Sequence, residues 1–189
     1  VVRPTHLSIC HADQRYYQGV RPAEVLKEKL PMALIHEGLG EVLYDPTGTY
    51  QCGDTVIMIP NTPCEKDEVI AENYLRSSKF RASGFDGFMQ EHVALDIDRV
   101  VPVDDSIDKV IAAFTELVSV SVHAIRRFDS IAHKRRKAVG IWGDGNLGYI
   151  TAIFFKAMFP NTKLYILGVD QEKLSGFSFA DDTFSVSDI

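Results

Sequence analysis

Ala138-Val139-Gly140-Ile141-Trp142-Gly143-Asp144-Gly145-Asn146-Leu147-Gly148-Tyr149 is the stretch that decides the fold. Its first five residues form an apolar run of the length of a buried parallel strand, and a glycine-rich turn follows at once. The apolar residues from about Tyr149 to Phe159 predict a helix, and Lys163 to Val169 predict a second strand. Strand, glycine-rich turn, helix and strand in that order make the opening βαβ unit of a nucleotide-binding sheet. Spacing gives each glycine a task. Gly143 permits the tight turn, Gly145 lets a pyrophosphate approach the backbone, and Gly148 lets helix and strand pack closely, with Asn146 and Leu147 opening the helix whose positive end holds the anion. The competing reading is a plain strand-helix turn.

On the N-terminal side the pattern differs. Up to about Val103, short apolar runs such as Gly38 to Tyr44, Asp54 to Pro60 and Gly87 to Leu95 are broken by Gly, Pro and Asp, which predicts a compact, mostly β domain. Ser106 to Phe128 contains neither Gly nor Pro, and Ile107, Val110, Ile111, Phe114, Leu117 and Val118 recur at helical spacing. A connecting helix is expected there. The chain thus divides into a mostly β domain at 1–105, a connecting helix and loop at 106–137, and the first part of a nucleotide-binding domain at 138–189. The opening Val1-Val2-Arg3-Pro4 reads as mid-strand entering a turn with no Met before it, and the chain stops among short apolar and acidic pieces, so a fragment is expected.

Composition narrows the function classes. With 189 residues, 46% hydrophobic and 24% charged, the chain can bury a sizeable core. The formal charge is -6, and the one basic run, Lys134-Arg135-Arg136-Lys137, reads as a solvated loop, so nucleic acid is not an expected partner. No run approaches the ~20 apolar residues of a spanning helix and no secretory signal is visible, which makes a cytoplasmic location the expectation. Cys10, Cys52 and Cys64 are odd in number and lack CxxC spacing, which argues against a disulfide framework.

Four residues offer zinc ligands: Cys10, His36, Glu37 and Glu116. Thiolate, imidazole and carboxylate are all zinc donors, and a catalytic site keeps one position open for water or substrate. Alternatives are a buried Cys10, a loop His36 bonded to backbone and a solvated Glu116. Glu116 fits its alternative poorly, because it lies in the apolar stretch Ala112 to Val118. Asp13 reads either as a turn cap or as the acceptor that orients His36 from its other nitrogen. At the end of the second predicted strand Gly168 stands where NAD-binding versions place an acid, which leaves room for a 2′-phosphate and favours NADP. Asp170, two residues on, would turn the preference to NAD.

With the cysteine motif Ser8-Ile9-Cys10-His11-Ala12-Asp13, the His36-Glu37-Gly38 and Thr115-Glu116-Leu117 segments and Gly143-Asp144-Gly145-Asn146-Leu147-Gly148 in this order, the whole chain resembles the zinc-containing medium-chain alcohol and polyol dehydrogenases. That resemblance implies an α/β protein: a GroES-like, mostly β catalytic domain followed by a Rossmann doubly wound parallel sheet, here incomplete. It also implies one catalytic zinc on Cys10, His36, Glu37 and Glu116, with Glu37 or Glu116 exchanging with water in some relatives. A structural zinc is not expected, since the matching loop, about Pro63 to Phe85, carries only Cys64. Where many relatives have a hydroxyl for proton relay the chain has Ala12, which leaves metal-bound water or Tyr16 as the route. More narrowly, Ser8 to Tyr17, Ile59 to Pro63, Ala71 to Tyr74 and Gly140 to Tyr149 resemble the bacterial reductases of ribulose 5-phosphate. Those enzymes use NADP(H) to make ribitol 5-phosphate, the precursor of CDP-ribitol for wall teichoic acid or capsule. The resemblance implies a phosphorylated sugar substrate, a homodimer, and a cytidylyltransferase as pathway neighbour. Arg15, Lys79 and Arg81 are the candidate phosphate partners. The rival readings are an NAD-dependent polyol or alcohol dehydrogenase and a nucleotide-binding relative without catalysis.

Overall fold

The computed structural model describes residues 1–186 and divides into two compact units, Val1–Glu116 and Leu117 onward. In the first unit, β1 (Val2–Ser8), β2 (Glu37–Val42) and β3 (Thr55–Met58) are followed by the short β4 (Asn61–Thr62), β5 (Lys79–Phe80) and β6 (Val100–Pro102). An antiparallel sheet runs in the order β1-β2-β3-β6, and β4 pairs separately with β5. Val2, Val42, Val56, Met58, Phe88, Val93 and Val100 form its core.

Local chemistry explains three departures from the expected pattern. The chain does not turn after Pro4: β1 continues to Ser8, with a register shift between Pro4 and His6. Pro4 has no N–H to give, and β1 lies at the sheet edge, where that omission is tolerated. Two short helices, α1 (His11–Tyr17) and α2 (Ala23–Lys29), interrupt the β domain. The expected strand from Gly87 to Leu95 is irregular, because the amides of Gly87, Phe88 and Met89 donate to the carbonyls of Ala33, Ile35 and Leu34, and only Val93 bridges to Val2. Its apolar residues are core all the same, Phe88 being fully buried, which contributes about 1.5–3 kcal/mol.

The connecting helix is split. α3 (Lys109–Ala112) is capped by Asp108, whose carboxylate accepts from Val110 and Ile111, and α4 (Thr115–Ile131) starts after a break at Ala113 and Phe114. The Thr115 hydroxyl takes the carbonyl of Ala112 at 2.7 Å, a local bond of the kind that competes with a continuous helix.

In the second unit, β7 (Ala138–Trp142), α5 (Asn146–Met158) and β8 (Lys163–Gly168) form the expected parallel βαβ unit, and α6 (Gln171–Ser175) leads to β9 (Asp182–Ser185), parallel to β8. Ile125 of α4, Ala152 and Phe155 of α5, Leu164 and Ile166 of β8, and Leu174 and Phe177 make its core. α5 starts three residues before the apolar periodicity does, because Gly145 supplies the cap. Gly148 has no alternative: a Cβ there would lie 2.1 Å from the carbonyl oxygen of Gly143. The last three residues of the sequence reading's cofactor segment lie outside the described residues.

Candidate metal centre and nucleotide turn

Two turns build the first site. β1 ends at Ser8, which pairs with Glu37 at the start of β2. Cys10 therefore leaves one strand beside the point where His36 and Glu37 enter the next. The Asp13 carboxylate ties the two segments, accepting from the Cys10 amide at 3.1 Å and from the Ile35 amide at 2.8 Å. One ligand atom from each of Cys10, His36 and Glu37 lies within 4.8 Å of the others. His36 and Glu37 are buried, and Cys10 is half-buried.

The His36 ring stands between two carboxylates, Nε2 3.8 Å from Glu37 Oε1 and Nδ1 3.8 Å from Asp13 Oδ1. Neither distance is a hydrogen bond, and Nδ1 is buried without a partner. Asp13 thus faces the nitrogen the sequence reading gave it, but spends its bonds on backbone amides. Glu116 lies outside the three-residue cluster yet within electrostatic reach of Glu37. Burial first, and the charge of Glu37 second, push its carboxyl up to about 7. Burial likewise raises the Cys10 thiol above its ordinary 9.0, against a lowering bond from the Ala12 amide, and Glu37 and Asp13 add to the rise.

This donor set fits zinc. A thiol, an imidazole and a carboxylate meet in a shielded place, with acidic groups that resist ionising unless a cation joins them. The orphaned Nδ1 also fits, since a histidine that binds metal through one nitrogen directs the other at a carboxylate.

The remaining sequence candidates are distributed elsewhere. Arg15 is exposed on α1. Tyr16 is buried, its ring face covered by the Arg21 guanidinium at 4.2 Å. Lys79 and Arg81 flank Phe80, and side chains alternate along a strand. Phe80 packs on His36, whereas Lys79 and Arg81 line a separate cavity of about 370 Å³ with Thr62, Asp86 and Arg99. There Arg81 donates to the carbonyls of Asp86 and Ala94, and the Lys79 ammonium lies 5.2 Å above the Phe85 ring. Both are engaged in holding loops. In the loop from Pro63 to Phe85, Cys64 is exposed, and side-chain bonds such as Ser77 to Glu65 and Ser78 to the Glu72 carbonyl tie the chain together.

In the second unit, Gly143, Gly145 and Gly148 lie between β7 and α5, with Gly145 capping the helix that Asn146 and Leu147 open. Gly168 ends β8 as expected, but the space beside it is filled: a Cβ would lie 2.6 Å from Asp144 Oδ2. That oxygen accepts from the Val169 amide at 2.7 Å and the Asp170 amide at 2.8 Å, bonds that hold the Asp144 carboxyl below the usual range. Asp170 caps α6, accepting from Glu172 and Lys173. The sequence reading missed Phe80 and Asp144. Asp144 was open to detection as the middle residue of Gly-Asp-Gly, whereas nothing in the sequence connects Phe80 with His36.

Comparison with known proteins agrees with this architecture. Residues 1–105 match the alcohol dehydrogenase GroES-like domain. The chain is 57% identical over 189 residues to a ribulose-5-phosphate reductase of Bacillus spizizenii and, equally, to ribulose-5-phosphate reductase 1 of Staphylococcus aureus. In both cases all of this chain is covered and 55% of the relative. The crystal structure of S. aureus TarJ in complex with NADPH superposes with a TM-score of 0.80 at 48% identity, covering all of this chain and 52% of that one. The chain spans about half the length of the relatives it matches. With the antiparallel sheet that carries Cys10, His36 and Glu37 and the parallel βαβ unit that follows, the chain belongs to the alcohol dehydrogenase family built on a GroES-like domain.

Proposed function

We propose that this chain forms the catalytic domain and the first part of the cofactor domain of an NADPH-dependent, zinc-dependent reductase that converts D-ribulose 5-phosphate to D-ribitol 5-phosphate. In this reading residues 1–105 are catalytic, 106–137 connect, and the residues from 138 bind cofactor. The observation that carries it is the meeting of Cys10, His36 and Glu37 within 4.8 Å in a chain so similar to ribulose-5-phosphate reductases.

Cys10, His36 and Glu37 would hold the metal, with Glu116 as the further ligand. Bound there, zinc supplies a Lewis acid for a ketone oxygen that gains negative charge as hydride arrives. Asp13 keeps the two ligand-bearing turns in register and faces the outer nitrogen of His36. The amides at the start of α5, from Asn146 and Leu147, suit the pyrophosphate of a dinucleotide, and Gly145 presents no side chain in its way. Lys79 and Arg81 serve their loops and are not assigned to the substrate phosphate. A homodimer, a cytidylyltransferase acting next in the sequence of reactions and a cytoplasmic location belong to the same proposal. Among the described residues, no helix is long and apolar enough to cross a membrane.

A second reading, an NADH-linked polyol or alcohol dehydrogenase, is favoured by one feature: Asp144 places a carboxylate beside Gly168, and Asp170 follows two residues on. A 2′-phosphate would meet negative charge there. The test is oxidation of NADPH and NADH by the full-length protein with D-ribulose 5-phosphate and with unphosphorylated ribulose, before and after zinc removal. Zinc-dependent turnover of the phosphorylated sugar with NADPH is expected. No turnover of it with either cofactor would overturn the substrate assignment, and preference for NADH would select the second reading of the cofactor.

A further inference from the structure

We propose that Phe80 is a positioning residue for the metal centre, setting the plane of the His36 ring through direct ring contact; this rests on the zinc reading above. The torsion that rotates an imidazole about its Cβ–Cγ bond is broad and needs an external constraint. In most histidine ligands a hydrogen bond from the outer nitrogen supplies it. Here that bond is not made: Nδ1 has no partner, the Asp13 oxygen is 3.8 Å away, and Asp13 is committed to the amides of Cys10 and Ile35. Glu37, on the Nε2 side, is also at 3.8 Å.

The contact that remains is aromatic. The Phe80 ring lies 5.3 Å from the His36 ring, centroid to centroid, at an interplanar angle of 57°. That is within the range of favourable tilted pairs. Phe80 is itself well placed to act as a stop, because β5 pairs it with Asn61 of β4, while its neighbours Lys79 and Arg81 are held on the other side of the strand. A segment distant in sequence thus closes one side of the His36 ring, where a rotation would carry Nε2 away from Cys10 and Glu37.

The test uses the full-length protein with cobalt(II) in place of zinc, whose visible absorption reports ligand geometry and whose thiolate charge-transfer band reports the bond to Cys10. Phe80→Leu removes the planar stop. Expected are a shifted cobalt spectrum, zinc affinity lower by about threefold to tenfold, as a lost aromatic pair implies, and a fall in kcat with little change in KM. Phe80→Tyr should restore all three. Phe85→Leu, which loosens the same loop on its other side, should leave the cobalt spectrum unchanged, and Phe80→Met serves if Phe80→Leu does not fold. A Phe80→Leu protein with the parental spectrum and zinc affinity overturns the positioning role while leaving the metal centre intact. Absence of a thiolate–cobalt band in the unaltered protein overturns the metal centre itself.

Discussion

Asp13→Asn tests whether one carboxylate holds the Cys10 turn and the Ile35–Glu37 turn together. Asp13 is 3% exposed, so water cannot replace what it loses. Its two oxygens accept from the Cys10 amide at 3.1 Å and the Ile35 amide at 2.8 Å. Asparagine offers one carbonyl oxygen and one NH₂ group, so one backbone donor must face another donor. Loss of that charge-assisted bond costs about 1.5–3 kcal/mol, and reducing the other to a neutral bond costs about 1 kcal/mol more. The sum is about 3 kcal/mol. The Cys10 thiol, raised above 9.0, is protonated at neutral pH and so gains nothing there from loss of the Asp13 charge. The thiol should become more acidic, however, since Asp13 is one of the charges that raise it. Two measurements on metal-free protein follow: amide exchange faster by about a hundredfold at whichever of Cys10 and Ile35 faces the new NH₂ group, and thiolate absorbance appearing at lower pH. Exchange at both Cys10 and Ile35 unchanged within a factor of two would refute the tie between the turns.

Two further outcomes are expected. Glu116, raised from 4.5 to about 7 in the folded protein, contributes stability that is fully present below pH 4.5 and is lost as pH rises through about 7. Metal-free protein should therefore lose roughly 1–2 kcal/mol across that window, after discounting for solvent screening of a half-buried side chain. Glu116→Gln should abolish this pH dependence in denaturant unfolding, and an identical slope in the variant would remove Glu116 as its source. Gly168→Ala should destabilise the second unit by about 2–3 kcal/mol by overpacking, since its Cβ would lie 2.6 Å from Asp144 Oδ2. That cost should shrink when Asp144→Gly is combined with it, and equal costs in both backgrounds would show that the two positions do not couple.

What the sequence disclosed follows the range of the forces involved. The βαβ unit was legible because its signals are local: an apolar strand, three spaced glycines and a helical period within one short stretch. The sheet of the first unit was legible in part. β2 and β3 came from apolar runs with turn residues at their ends, but Gly87 to Leu95 looked the same and forms no strand, since its amides are taken by the Ala33–Ile35 loop. Periodicity reports that side chains are buried, not which backbone pairs with which. Cys10, His36, Glu37 and Glu116 were nominated by residue type and resemblance, and three of them meet in the structure while Glu116 lies outside the cluster and is raised by burial and by the charge of Glu37. The contact of Phe80 with His36 and the filling of the space beside Gly168 by Asp144 depend on distances that no sequence spacing encodes.

Ile35 shows why a site of this kind is hard to read in advance. Successive side chains of a regular strand point to opposite faces, so His36 and Glu37 could not both serve one site from an ordinary pleat. His36 still precedes the pleat, since β2 begins at Glu37, and the turn into it is made at Ile35, whose φ is 71°. A β-branched residue is the least expected occupant of that region, and the strain costs on the order of 1–3 kcal/mol. It is held there from three directions: the Ile35 amide donates to Asp13, its carbonyl accepts from Phe88 at 2.6 Å, and its side chain is buried. A glycine would accept the conformation without strain but would leave the backbone free to adopt others, and would give up the buried side chain. The isoleucine instead makes the turn depend on its surroundings, so that His36 and Glu37 come together with Cys10 once α1, the Phe88 segment and the sheet have formed.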